Sequence, residues 1–222
     1  MISDINAKKL IHTKQGQDWL NQFEPIDQEF AILLANNLTL VSHTEFERNL
    51  LAKIEGVASS IEGSVGFFSV RELKKEKPDE WCIEKPIPFY SQAIVSEDGQ
   101  SVNALSSSAD QGSEAKVAHI IRQLCKSNPQ KCLNHPTIEP LRNSKSNAII
   151  FVDDFIGSGG RVRDFLDSFW LEPTIVSWLS GKQISFHVVA YSGTESGISY
   201  VENHKSKPHV HMFRDAPSLD TF

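Results

Sequence analysis

Residues 148–162 read AIIFVDDFIGSGGRV. An unbroken apolar run, Ala148 to Val152, leads into two adjacent aspartates, Asp153 and Asp154, and then into a Gly157-Ser158-Gly159-Gly160 turn. A strand without polar alternation is covered on both faces, which is the condition of a central strand in a parallel sheet. Apolar groups resume at Val162, Phe165, Leu166 and Phe169 with helical spacing, so a helix starts near Gly159.

The flanking sequence agrees with an α/β fold. SVGFFSV (64–70) and QISFHVVAYSG (183–193) read as strands, and HVHMF (209–213) as one more. GSEAKVAHIIRQLCK passes from loop to helix near Gly112 to Glu114, with Ala115, Ala118, Ile121 and Leu124 periodic. EPTIVSWLSG has Pro173 at its start and Gly181 past its end, the asymmetry of a short helix. Strands alternating with helices from residue 64 onward predict a mostly parallel sheet flanked by helices. No helix follows HVHMF, so the domain is expected either to be truncated there or to end irregularly.

Ahead of this lies a helical extension, assigned to residues 1–62, with the α/β domain at 63–222. Three helices are expected between Gln15 and about Ser60. Trp19, Leu20 and Phe23 mark the first, and Phe30, Leu33 and Leu34 the second. Ser42 to Glu45 forms a capping box before the third, which repeats Phe46, Leu50, Ile54 and Val57. Core packing is the default for these apolar groups, a dimer or partner surface the alternative. Arg71 to Trp81 is a charged, solvated excursion; 88–106 suits a hairpin around the EDGQ turn at Glu97; 127–146 is a long polar connection.

Net charge is −6, which argues against a broad nucleic-acid surface while leaving room for a local basic patch. Three cysteines, Cys82, Cys125 and Cys132, make no disulfide framework and suit a reducing cytoplasm. The N-terminus lacks a signal-peptide core and no apolar run reaches membrane-spanning length. Cys125, Cys132 and His135 lack the second half of a zinc site. His187 reads as a satisfied core histidine, whereas His209 and His211 share a strand face without a third metal ligand.

In open parallel sheets, ligands bind beyond the carboxyl ends of the strands. A glycine turn exposes successive backbone N–H groups, and the following helix adds its positive end, which together cradle a phosphate. Adjacent carboxylates seldom persist without a partner. The hydroxyls of a ribose diol would supply one, so the site suits a sugar 5-phosphate. GSGGRV lacks the Gly-Lys-Ser/Thr ending of a nucleoside triphosphate loop, and the dinucleotide fingerprint does not open on two acids.

VDDFIGSGG resembles the phosphoribosyl pyrophosphate signature of type I phosphoribosyltransferases. The resemblance implies that Asp153 and Asp154 take the ribose hydroxyls, while Gly157, Ser158, Gly159, Gly160 and Arg161 wrap the 5-phosphate. Arg161 departs from the pattern, since that family usually has a small hydroxyl residue there. A second resemblance rests on WLNQFEPIDQEFAILLANNL, EFERNLL, GSEAKVAHIIRQL and FVDDFIGSGGRVRDFL. These are similar to the phosphoribosyltransferase-like domains of bacterial conflict systems, including retron-linked antiphage operons.

Such a family implies magnesium bound with pyrophosphate rather than by direct protein ligation, and an oxocarbenium-like sugar in the transition state. It also implies a diphosphate-binding loop, for which Ser108 to Glu114, with Gly112 and Ser113, is the local analogue. The plain alternative there is a helix cap. A mobile hood over the site is expected from 127–146, with Lys126, Lys131, Arg142 and Lys145 supplying charge. Partner proteins of a defence operon are implied on the same ground. Two readings stand: an enzyme using a ribosyl phosphate, or a sensor module that kept the cradle.

Overall fold

The computed structural model describes residues 11–38, 40–76, 84–104 and 112–216. Cys82 and residues 108–111 of the candidate diphosphate loop lie outside the described residues. The chain divides into two compact units, Met1–Phe46 and Glu47–Phe222.

The first unit carries α1 (Lys14–Leu20) and α2 (Gln28–Asn37). Thr13 caps α1, its hydroxyl accepting from Gly16 N–H at 3.0 Å. The buried set of this unit is Ile11, Leu20, Ala31 and Ala35, with Trp19 packed against it. Phe30, Leu33 and Leu34 take no part in it, a correction to the apolar stripe expected for α2. The small Ala31 and Ala35, four residues apart, form the packed face instead.

The unit boundary falls in the first turn of α3 (His43–Ser60), earlier than the boundary after residue 62 suggested by the helical pattern. The Ser42 hydroxyl accepts from Glu45 N–H at 3.2 Å, as the capping box requires. Leu50, Ile54 and Val57 of α3 are buried.

The second unit then follows the expected alternation. β1 (Val65–Ser69) leads through a small antiparallel pair, β2 (Lys75–Glu76) with β3 (Lys85–Pro86), to a single turn α4 (Phe89–Gln92). Next come α5 (Ser113–Ser127), β4 (Cys132–Asn134), α6 (Ile138–Asn143) and β5 (Ala148–Ile156). The chain continues through α7 (Gly160–Trp170), α8 (Pro173–Ser180), β6 (Ser185–Gly193), α9 (Glu195–Glu202) and β7 (His209–Asp215). The five-stranded sheet has the order β4-β1-β5-β6-β7 with every pair parallel. Among the described residues no helix is long and apolar enough to cross a membrane.

The chain winds one way from β1 to β4 and the other way from β5 to β7, so the winding reverses between β1 and β5. A crevice at the carboxyl ends of these two strands is where such sheets take ligands. Alternation divides β5 between two cores. Ile149 and Phe151 face a cluster with Phe165 and Phe169 of α7, Phe89 of α4 and Phe186 of β6. Phe169 stacks on Phe89 at 4.3 Å and meets Phe68 and Phe151 edge-on at 4.9 Å each. Truncating so central a ring costs about 3–5 kcal/mol, so Phe169→Ala is the single change that best dissolves this layer. The opposite face is covered by α5, whose Val117, Ile121 and Leu124 are buried.

Four local expectations change. The connection at 127–146 holds β4 and α6 rather than a loop, because pairing with Val65–Phe67 makes a strand of three otherwise ambiguous residues. Within the charged excursion, Lys75–Glu76 pairs with Lys85–Pro86, and Arg71 is buried. The hairpin near 88–106 reduces to one bridge, Val95 to Val102, after the helical turn of α4, with Gly99 at φ +70° closing it. Helix α9 was not anticipated, having few apolar residues to reveal its period.

Candidate functional site

Strand β5 runs through the acid pair to Ile156 instead of ending at it. Its ladder with β1 stops at Val152, opposite Ser69, while its ladder with β6 continues to Ile156 opposite Gly193. Asp153 and Asp154 therefore stand past the end of β1, within the crevice where the winding reverses.

Alternation puts Asp153 on the α7 face and Asp154 on the α5 face. Asp153 is only 2% exposed. Its Oδ1 accepts from Asp154 N–H at 2.9 Å and from Arg161 Nη2 at 2.7 Å. Its Oδ2 is buried without a hydrogen-bond partner among the described residues. Burial pushes the Asp153 carboxyl well above the usual range, and the nearby Arg161 charge only partly offsets this. Asp154 is half-buried; its Oδ1 accepts from Phe155 N–H at 2.9 Å and from Arg161 Nη2 at 3.1 Å. Burial raises the Asp154 carboxyl too, but the neighbouring Asp153 and Ser113 side chains and the Arg161 charge outweigh it, leaving it below the ordinary value. The pair thus ionises in order, Asp154 first.

Ser113 opens α5 and reaches Asp154 from the far side of the sheet. Arg161, in the first turn of α7, reaches both carboxylates. The arginine expected at the phosphate turn thus has its side chain on the acid pair. Its N–H remains at the helix start, where Arg163 N–H to Gly159 O is the first helical bond.

The turn itself is held from behind. Gly159 adopts φ +77°, and a Cβ there would stand 2.7 Å from Gly197 O. A Cβ on Gly197 would stand 1.9 Å from Gly157 O, so only glycine allows this approach. The Thr194 hydroxyl donates to Gly157 O at 2.7 Å and accepts from Gly197 N–H at 3.1 Å, fixing the turn to the start of α9. Ser158 is exposed, Gly157 and Gly160 are half-exposed, and Gly159 is buried. The outer rim of the turn is thus open while its base is locked. Thr194 and Gly197 escaped the sequence reading, although Thr194 before Glu195 is a helix-cap signal.

A cleft of about 480 Å³ adjoins the turn, lined by Arg71, Leu73, Lys75, Gly160, Arg161 and Asp164 among others. Lys75 Nζ lies 2.8 Å from Asp164, on the second turn of α7. Arg71 follows β1 directly, and burial lowers its guanidinium below the ordinary value against the opposing pull of Glu114. Behind it, Ser69 N–H donates to His135 Nε2 at 2.9 Å, so the ring proton is on Nδ1, toward Asn134 Oδ1 at 2.8 Å. His135 is fully buried among Arg71 and Arg122, and burial first, then these charges, push it down to about 3.

The hood assignment does not survive. Lys126 stands about 20 Å along α5 from Ser113 at 1.5 Å per residue. Lys131 Nζ donates to Ile61 O ahead of β1, and Arg142 lies over the Trp178 ring. Lys145 sits just before Asn147, whose N–H donates to Ser64 O. These groups mark the amino ends of the strands, opposite the acid pair. Gly112 is the exposed N-cap of α5.

The zinc reading of Cys125, Cys132 and His135 fails on chemistry. Both ring nitrogens of His135 are taken, and burial pushes the Cys125 thiol up to about 12, away from a thiolate ligand. His187 Nδ1 and His211 Nε2 are 3.1 Å apart, and Ser185 Oγ is 3.0 Å from His187 Nε2, so His187 is satisfied within the protein. Among the described residues no group of three or more His, Cys, Asp or Glu side chains is placed to hold a metal ion.

The five-stranded parallel order, with an acid pair and a glycine turn at the reversal point, is the frame of a phosphoribosyltransferase-like fold. The PRTase-CE family model matches residues 17–220. The chain belongs to the PRTase-CE family. The match begins within α1 and runs past β7, so it takes in parts of both compact units. No curated protein gives a significant match to this PRTase-CE chain.

Proposed function

We propose that this phosphoribosyltransferase-like protein binds phosphoribosyl pyrophosphate, or a related ribose 5-phosphate, at the crevice between β1 and β5. The observation that carries the reading is the joining of the acid pair to the glycine turn: Asp154 half-exposed, Asp153 buried with an Oδ2 unpartnered among the described residues, and an open turn rim beside them. The turn and the start of α7 hold the 5-phosphate, and the carboxylates take the ribose hydroxyls once Arg161 withdraws. Ser113 and the head of α5 face the diphosphate. Magnesium bound with that diphosphate would neutralise charge on the leaving group, so these residues would not need to form a cage of carboxylates.

In this reading Asp153 and Asp154 orient the sugar, and backbone dipoles hold the phosphate, so positioning and electrostatics carry the reaction. The setting is the cytoplasm, where Cys125 and Cys132 remain thiols. The biological role is that of an effector or accessory protein in antiphage defence, acting with partners from the same operon. This last step rests on resemblance to conflict-system domains.

One observation favours a second reading. Arg161 already pairs with one oxygen of each carboxylate, where a ligand would compete. A non-catalytic sensor that exchanges this internal partner for a ribosyl phosphate has the same geometry. Isotope-labelled phosphoribosyl pyrophosphate separates the two. Magnesium-dependent release of pyrophosphate identifies an enzyme, saturable binding without release identifies a sensor, and the absence of both overturns the proposal.

A further inference from the structure

Two clefts open at the amino ends of the strands, the end of the sheet opposite the acid pair. Their volumes are about 570 and 370 Å³, and they share Asn147, Gln183 and Ile184 as walls, so they form one trough. Five cations line it: Arg142, Lys145, Lys182, Lys205 and Lys207. Among the described residues no carboxylate lines either cleft. In a chain of net charge −6, that is a local concentration against the overall balance. Asp167 holds Lys205 at 2.8 Å and neutralises it, leaving the other four for a ligand.

Two tryptophans line the same trough, Trp170 in the larger cleft and Trp178 in the smaller. Each is half-buried, and Trp178 is packed against the main core. Each has a cation near its face: Lys205 Nζ is 5.6 Å from the Trp170 centroid and Arg142 Cζ is 5.8 Å from that of Trp178. Asn147 and Gln183 between them offer amide donors and acceptors.

A run of cations interleaved with fixed aromatic rings meets both needs of an unpaired strand: phosphates to neutralise and base faces to stack. A duplex presents phosphates but keeps its bases stacked inside. We propose that this trough binds single-stranded nucleic acid. Phosphates lie on Arg142, Lys145, Lys182 and Lys207, and bases lie against Trp170 and Trp178. The site is roughly 20 Å from the acid pair, counting 3.3 Å per residue along β5. It stands independently of the ribose-phosphate reading.

The test is fluorescence anisotropy with the full chain and labelled 20-nucleotide RNA and DNA of mixed sequence, each single-stranded and as a duplex. In 50 mM salt, single strands are expected to bind in the micromolar range or tighter. Each neutralised phosphate adds about −0.7 to the slope of log K against log salt, so four contacts give about −3. The double variant Lys182→Glu, Lys207→Glu should weaken binding at least tenfold. Lys74→Glu, Lys116→Glu carries the same charge change on exposed lysines elsewhere and should weaken it less than threefold. Tighter binding of either RNA or DNA supports the site and identifies its source. The proposal is overturned by absence of binding, by equal losses in the two double variants, by a duplex binding as tightly as a single strand, or by polyglutamate displacing the strand at equal charge.

Discussion

The Arg161 guanidinium stands 2.7 Å from Asp153 Oδ1. That contact resolves the question posed by two adjacent aspartates at the head of a glycine turn. Asp153 and Asp154 face opposite sides of the sheet, and beyond the end of β1 the arginine holds both. The other oxygen of the buried Asp153 carboxyl has no hydrogen-bond partner among the described residues. The cluster is satisfied enough to fold and incomplete enough to accept hydroxyls.

Replacing Arg161 by Thr removes the bridge and leaves a buried carboxyl without its cation. Because the arginine side chain is one-third exposed, the cost is discounted to about 1–2 kcal/mol in urea unfolding at pH 7. A ribose diol no longer has to displace the guanidinium. Calorimetric titration with phosphoribosyl pyrophosphate and magnesium should therefore show at least threefold tighter binding. Weaker binding would mean that Arg161 contacts the ligand rather than competes with it.

Gly197→Ala tests the buttress behind the turn. Its Cβ would fall 1.9 Å from Gly157 O, so the turn or α9 has to move. A stability loss of about 1–3 kcal/mol is expected for such overpacking. Ligand affinity should fall more than tenfold, because the turn is displaced. Unchanged affinity in a folded variant would show that the 157–160 backbone does not touch the phosphate.

Acidification should destabilise the protein through its buried histidines, opposed by the Asp153 carboxyl, which burial makes easier to protonate in the folded state. Burial holds His135 down to about 3; burial and then the neighbouring His209 and His211 hold His187 down to about 4, against an unfolded value near 6.5. Between these values the unfolded chain binds more protons than the folded one, so stability is full above pH 6.5 and declines as pH falls toward 4. In Asp153→Asn, which removes the opposing carboxyl, urea unfolding at pH 7 and 4.5 should differ on the order of 3–5 kcal/mol. A flat profile over that window would mean that neither ring is held neutral.

The strand, turn and helix at 148–170 were legible because burial on both faces and a positive-φ glycine leave direct marks in sequence. Ser113 was legible as a residue at the start of a helix, and its meeting with Asp154 follows from α5 crossing the sheet. What stayed hidden depends on partners distant in sequence. Cys132–Asn134 is a strand only because Val65–Phe67 lies beside it. Arg71 looked like one more solvated charge, since nothing local says that the chain after β1 turns inward. Thr194 and Gly197 matter through Gly157, 37 and 40 residues away in sequence. The cations at 126–145 were recognised as a group but assigned to the wrong end of the sheet, because β4 and α6 carry them away from the crevice.

The most direct measurement is equilibrium binding of isotope-labelled phosphoribosyl pyrophosphate, with magnesium, to the parent and to the double variant Asp153→Asn, Asp154→Asn. Saturable binding by the parent and its loss in a variant with an unchanged circular dichroism spectrum is the expected result. Equal binding by both proteins would contradict the assignment of the acid pair to the ribose.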